Sequence, residues 1–401
     1  YCPGSRVVFP LKCQMASLVT SDETDERADS AGGAPARELN VEQLSLHAEA
    51  MKNAAKDIPP AERHVVPRDA VKIEDSNETI TAIGTQGKKV TVIEGLEGNG
   101  PCLTSLCLRS NLIAKMQGMN HLTKLVNLEL YDNKLKRLEG IDQLVNLTNL
   151  DLSYNDIRKL ENLGTLTQLR TLYVARNKLK EVGSSLENLT SLTRLDLGSN
   201  RIRKIEGFET LTNLSELWLG RNKITRVCGL STLVNLKILD IQSNRLVAMD
   251  GTEAPAAAGE EASAEGSTVS PPPPPPAGAD NVDNLGLTCN THLEELYLGH
   301  NGIPTIGGLD ALQKLNTLDL SSNKIEMVQN VSKLVKLEEL WMSCNLVASF
   351  DSVVELQKTA VKIKTLYLEQ NPISKDFEYR KRLAEMFPSL TQIDATPCRR
   401  R

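Results

Sequence analysis

The sequence predicts an α/β solenoid: a right-handed stack of short units with a parallel β-sheet on its concave face. Short helical or 3-10 segments should line the convex face, and a capping helix should close the C-terminal end. Three observations lead there. An asparagine recurs in one frame from Asn111 to Asn371. Around each asparagine the leucines first alternate with period two and then fall every third residue. Beyond Asn371 that frame stops, and "EYRKRLAEMF" has helical apolar spacing (Tyr379, Leu383, Met386, Phe387) before Pro388 stops it.

The frame comprises Asn111, Asn133, Asn155, Asn177, Asn200, Asn222, Asn244, Asn301, Asn323, Asn345 and Asn371, with spacings of 22, 22, 22, 23, 22, 22, 57, 22, 22 and 26. A fixed period of this size signals stacked supersecondary units. In the copy "LTNLDLSYNDIRKLENLGTL", starting at Leu147, the L-x-L portion is a short strand. Leu150 and Leu152 point inward, and Asn149 and Asp151 point outward. Asn155 ends the strand, where its amide can both donate to and accept from backbone groups inside the stack. Ile157, Leu160, Leu163 and Leu166 then recur at a spacing of about three, which suits a helical or 3-10 segment on the far side. This is the leucine-rich repeat pattern in its 22-residue form. One unit cannot bury its apolar face alone, so the units must stack. "VTVIEGLEG" (Val90–Gly98) matches the outer half of a unit and begins the array.

The organisation follows. Residues 1–75 are polar and irregular and are expected to be disordered. No methionine opens the chain, whereas "MASLVTSDETDE" starts at Met15, so residues 1–14 are expected to come from an over-extended reading frame. The solenoid covers 76–371. It is interrupted at 252–285 by an acidic, proline-rich insertion, expected to be a disordered linker that leaves from the convex side. Its six consecutive prolines also match ligands of SH3, WW or profilin-like domains. Residues 372–398 form the C-terminal cap.

Composition excludes several function classes. A net charge of −5 argues against a general nucleic-acid binder. No apolar run reaches the ~18–20 residues that span a bilayer, and no signal-peptide pattern opens the chain. A soluble, intracellular protein is expected. None of the eight cysteines forms a C-x-x-C pair, and no two of the five histidines have metal-ligand spacing. Neither G-x-G-x-x-G nor G-x-x-x-x-G-K-[ST] occurs. An enzyme is not expected, nor is any catalytic residue, cofactor or metal. "RVVF" (Arg6–Phe9) matches the degenerate four-residue docking pattern for type-1 phosphatase, a pattern that chance often produces.

The informative feature is the outward fifth position of each unit, counted from its first leucine. It reads Cys107, Glu129, Asp151, Tyr173, Asp196, Trp218, Asp240, Tyr297, Asp319, Trp341 and Tyr367. Five of these eleven are aromatic in a chain with only 3% aromatics, and both tryptophans are among them. The third position adds Glu216, Glu295 and Glu339, with Arg194 as the one base of the two columns. Strands favour aromatic residues for packing reasons alone. That preference does not account for outward tryptophan alternating with carboxylate. Rings supply stiff contact area and carboxylates supply orientation, so the pattern predicts a protein-binding face. Ten steps of ~4.8 Å make it roughly 50 Å long, the scale of a protein contact.

The "NKIxxIEGL"-type units, "LEELWMSCN", "LYLEQNPISKD" and the ending "YRKRLAEMFPSLTQIDAT" resemble the protein phosphatase 1 regulatory subunit 7 family. The resemblance runs from about Val90 to Cys398 apart from the insertion. It implies a non-catalytic subunit that holds the type-1 phosphatase catalytic subunit in its concave face. Carried over by position, the contacts fall on Asp151, Tyr173, Asp196, Trp218, Asp319, Glu339, Trp341 and Tyr367, with Glu129, Asp240 and Tyr297 in the same column. Asp196 stands where that family usually has glutamate, and Tyr173 and Trp218 where it has phenylalanine. The resemblance further implies a ternary complex with a small phosphatase inhibitor and a location in nucleus and cytoplasm. The alternative is another adaptor of the same repeat class with a different protein partner, such as a ciliary or spliceosomal scaffold.

Overall fold

Each unit contributes one three-residue strand whose middle residue is apolar and buried, and these strands assemble into one sheet. The computed structural model describes residues 79–81, 83–84, 89–96, 98, 102–249, 286–359 and 362–398. The N-terminal region, including "RVVF" and residues 1–14, and the 252–285 insertion lie outside the described residues. Among those described the sheet has 14 strands in strict chain order. They are β1 (Thr79–Thr81), β2 (Ser105–Cys107), β3 (Asn127–Glu129), β4 (Asn149–Asp151), β5 (Thr171–Tyr173), β6 (Arg194–Asp196), β7 (Glu216–Trp218), β8 (Ile238–Asp240), β9 (Glu295–Tyr297), β10 (Thr317–Asp319), β11 (Glu339–Trp341), β12 (Thr365–Tyr367), β13 (Gln392–Ile393) and β14 (Thr396–Pro397).

Register follows from the period. Like positions of successive units face each other, so Leu150 pairs with Leu172 and Leu318 with Leu340, both in parallel strands. The middle residues bury completely or nearly so, which leaves the flanking residues on the open, strand-lined face.

The recurring asparagine holds the stack together. Asn177 is buried; its Oδ1 accepts the Ile157 N–H at 2.9 Å, and its Nδ2 donates to the Leu152 and Val174 carbonyls at 3.0 and 3.2 Å. The same pattern recurs at Asn133, Asn222 and Asn345. One amide thus satisfies backbone groups of its own unit and of the unit before it. The residue ahead of each asparagine has φ between 53° and 60°, from Ser110 to Gln370. His300 occupies one of these left-handed positions and is exposed.

The convex side carries the expected short segments, most of them single 3-10-type turns and only a few of them helices. In most units it consists of two successive i→i+3 turns, such as Leu144 N to Ile141 O and Leu147 N to Leu144 O, both 3.0 Å. Among the described residues, 3-10 helices occupy Gly183–Leu186, Phe350–Val353 and Pro372–Lys375, and an α-helix, α1, spans Val354–Thr359. A spacing of three keeps every apolar side chain inward without continuous helical bonding. Parallel stacking supplies the rest, as in the 2.9 Å bond from Lys134 N to Ile113 O of the preceding unit. Gly140 sits on this side at φ 71°, where a Cβ would come within 2.7 Å of the Met116 carbonyl oxygen. Two units use asparagine at that left-handed position instead: Asn162 donates to Leu138 O at 2.6 Å and Asn330 to Ile306 O at 2.7 Å.

Both ends are covered. At the N-terminal end β1 pairs with β2 ahead of Val90, and Ile80 is fully buried although "TIT" carries no leucine frame. At the C-terminal end α2 (Tyr379–Met386) buries Tyr379 and Leu383. The chain then closes the sheet with an antiparallel β13–β14 pair, which the apolar pattern did not foretell. Asp394 takes over the asparagine's acceptor role here, receiving the Leu368 and Glu369 N–H groups at 2.9 and 3.0 Å and the Tyr379 hydroxyl at 3.2 Å. The insertion interrupts only the convex half of one unit. Its flanks Met249 and Leu287 are both buried, and Leu246 N donates to Asn301 Oδ1 at 3.0 Å across the gap in sequence.

Candidate protein-binding face

The parallel register brings the fifth-position side chains into one file across β2 to β12. Asp151, Tyr173, Asp196, Trp218, Trp341, Tyr367, Glu129 and Tyr297, with Glu339 beside them, are half-buried on the strand face. Asp240 and Asp319 belong to the same file but are only 5% and 9% exposed.

The rings explain that burial. Trp218 on β7 and Tyr297 on β9 lie two strands apart, yet their centroids are 6.4 Å apart with planes at 19°. Two strand steps are ~9.6 Å, so the rings lean together over Asp240 on β8. Tyr297 and Trp341 close in the same way over Asp319, at 6.2 Å, and Trp341 meets Tyr367 edge-on at 6.2 Å. Four rings thus form one continuous run from β7 to β12. The Trp341 Nε1 is buried without a hydrogen-bond partner.

The aspartates do more than present charge. Asp151, Asp196, Asp240 and Asp319 each turn one oxygen back onto the N–H two residues on, at 2.8–2.9 Å. Such Asx turns satisfy the backbone where the strand ends. Glycine in the neighbouring unit leaves room for them: a Cβ at Gly220 would lie 3.1 Å from Asp240 Oδ1, and one at Gly299 would lie 3.0 Å from Asp319 Oδ2. This second role goes with the spacings D-x-S at Asp151 and Asp319, D-x-G at Asp196 and D-x-Q at Asp240.

Burial raises the carboxyl groups of Asp151, Asp196 and Asp319 above the ordinary range and pushes Asp240 up to about 6. For an acid raised on folding, the native state binds more protons than the unfolded chain. Asp240 therefore favours folding most below pH ~4, and that contribution is lost as pH rises through about 6. Asp240→Asn is expected to be more stable than the parent at pH 7.5 and to differ little at pH 4, measured by urea unfolding at both values. An equal effect at both would show that Asp240 is not protonated in the folded state at pH 4.

Other face residues are tied to one another. Arg194 makes a two-pronged pair with Glu216, 2.6 Å for each contact, and reaches the Tyr173 hydroxyl at 3.4 Å. Tyr297 donates to Glu295 at 2.7 Å, and Gln392 donates to the Tyr367 hydroxyl at 2.6 Å. Toward the N-terminal end, the Cys107 thiol donates to Glu129 at 3.3 Å.

One cluster escaped the sequence reading. On the rim just past the strands, Arg109 covers Tyr131, Tyr131 meets Tyr154 at 4.7 Å, and Arg176 covers Tyr154. It lies at the seventh and eighth positions, and only the stacking of units shows that these four residues touch.

Stacked units, an asparagine at each turn and an outward file of rings and acids define the fold class: a leucine-rich repeat solenoid with an open face suited to binding protein. A family model described as leucine-rich repeats, in two copies, matches residues 145–189, 167–211, 190–232, 291–333 and 313–358. Among solved structures, an internalin from Listeria monocytogenes is 24% identical, with 79% of each chain covered and a TM-score of 0.60. A leucine-rich repeat protein from Leptospira interrogans is 23% identical over 77% of this chain and 76% of its own, with a TM-score of 0.55. Another Listeria monocytogenes internalin domain, described as including a cysteine ladder, is 25% identical over 74% of this chain and 54% of its own, with a TM-score of 0.52. These likenesses concern the fold. No curated protein matches the chain. Among the described residues, no helix is long and apolar enough to cross a membrane.

Proposed function

We propose that this protein is a non-catalytic regulatory subunit that grips the catalytic subunit of type-1 protein phosphatase in its strand-lined face. Binding would set the phosphatase's assembly, location or substrate access, in nucleus and cytoplasm, with room for a small phosphatase inhibitor in a ternary complex. The observation that carries the reading is the unbroken run Trp218–Tyr297–Trp341–Tyr367, set among acids. Half-buried rings on an open sheet retain apolar area for a partner, and exposed apolar patches of this kind mark interaction sites. Glu339, Glu129 and the outer oxygens of Asp151 and Asp196 would select a partner surface that is basic around apolar pockets. The repeat pattern and C-terminal run that resemble the phosphatase subunit family support the phosphatase as the partner.

Affinity purification of the full chain from cell extract, with partners identified by mass, tests the assignment. Phosphatase catalytic subunit should be the main protein recovered, and recovery should fall when Trp341 or Tyr297 is replaced by alanine. A ciliary or spliceosomal protein in its place would favour the adaptor alternative. Because Met249 and Leu287 enter from the convex half of their unit, deleting 252–285 should leave phosphatase affinity unchanged in a titration. A loss beyond about tenfold would give the insertion a part in the contact.

A further inference from the structure

The chain is acidic overall, at −5, yet its cations are not spread evenly. The segment of each unit that runs from the strand end toward the convex side covers 131–137, 153–159, 175–181, 198–204, 220–226 and 242–248 in six successive units. Together these hold fifteen lysines and arginines against three acids. The equivalent stretches 299–305, 321–327 and 343–349, after the insertion, hold one lysine and one glutamate. This flank adjoins the strand face but is distinct from it.

Backbone bonding aligns the cations. Lys134, Asp156, Lys178, Arg201, Lys223 and Arg245 each donate their N–H to the unit before, at 2.8–2.9 Å, and so stack one above another. Asp156 is neutralised by Lys178. Arg201 and Arg245 are exposed, Lys223 is half-buried, and among the described residues no acid pairs with any of the three. Like charges held one strand step apart repel one another. Six units place this column over five steps of ~4.8 Å, roughly 24 Å, which about seven residues of extended peptide would span.

We propose that this basic flank docks an extended Asp/Glu-rich segment of a partner protein, independently of the strand face and of the phosphatase assignment. An acidic peptide relieves the repulsion along the column by laying carboxylates against it. Single-stranded nucleic acid fits less well, because it needs aromatic faces on which bases stack as well as charge. Among the described residues the one aromatic pair on this side, Tyr131 and Tyr154, has its rings against each other and a guanidinium over each. The neighbouring carboxylates of the strand face would also repel a wider polyanion.

The test uses a fluorescent twelve-residue peptide of alternating glutamate and glycine, titrated with the full chain and read by anisotropy at 50 and 300 mM salt. Binding at low salt that weakens at high salt is expected. The triple variant R201E, K223E and R245E should lose it by tenfold or more, while W341A retains it; unchanged thermal melting of the triple variant would show that it still folds. Absent binding to the parent chain, or undiminished binding to the triple variant, would overturn the proposal. So would tighter binding of a twelve-nucleotide oligouridine that the triple variant abolishes, since that assigns the flank to nucleic acid.

Discussion

Replacing Asn200 by alanine is expected to lower the free energy of unfolding by about 3 kcal/mol, more than any exposed substitution on the strand face. Its amide is buried, with Oδ1 on the Leu179 N–H at 3.0 Å and Nδ2 on the Val174 and Leu197 carbonyls at 2.9 Å each. Alanine removes all three contacts at once. It also leaves a dry gap between two units, where a lost partner costs the full desolvation penalty of the group left behind. In a stack stabilised by nearest neighbours, the damage should centre on the units around Asn200. Urea unfolding gives the magnitude, and hydrogen exchange at Leu179 and its neighbours gives the location. A loss below 1 kcal/mol would mean that water replaces the amide and that the ladder matters less than leucine packing.

Trp341→Ala is expected to weaken the partner complex by ~2 kcal/mol or more, about thirtyfold, while leaving the fold intact. Trp341 is the centre of the ring run, touching Tyr297 on one side and Tyr367 on the other. Its removal takes away contact area and frees both neighbours from their present packing. The fold should survive because the indole N–H has no hydrogen-bond partner to lose. Asp319, now covered by the rings, would gain water while keeping its bond to the Ser321 N–H. Calorimetric titration against type-1 phosphatase catalytic subunit, with a thermal melt of the free variant, separates binding from folding. Unchanged affinity would move the contact off this face or to another partner. A fall in affinity with an equally large fall in melting temperature would mean that Trp341 holds the sheet together instead.

These two residues mark how far the amino-acid order could be read. Asn200 belongs to a frame visible without coordinates, and the chemistry of its amide already implied a bond to the backbone on either side. Trp341 was equally legible as outward-facing, because L-x-L fixes which residues share a side. Its neighbours were less so. That Trp218 and Tyr297 would close over Asp240 depends on ring tilt across a 9.6 Å gap (about two strand steps), and local pattern does not encode tilt. The same holds for the Asx turns of Asp151 and Asp319, and for the contact of Arg109, Tyr131, Tyr154 and Arg176 across four units. The β13–β14 hairpin was hidden for another reason: it is built from "QIDATP", which has no periodicity long enough to register.

The sequence alone determined the repeat, the strand frame, the turn asparagine and the file of rings and acids. All of these follow from a period of 22 and from the strict alternation of side chains in an extended strand. Tertiary structure decided which members of that file stay open to a partner and which are sealed beneath rings. It also decided where the cations gather into a column and how the two ends are covered. Those properties depend on distances between units, and such distances exist only once leucines from successive coils have packed and set the spacing.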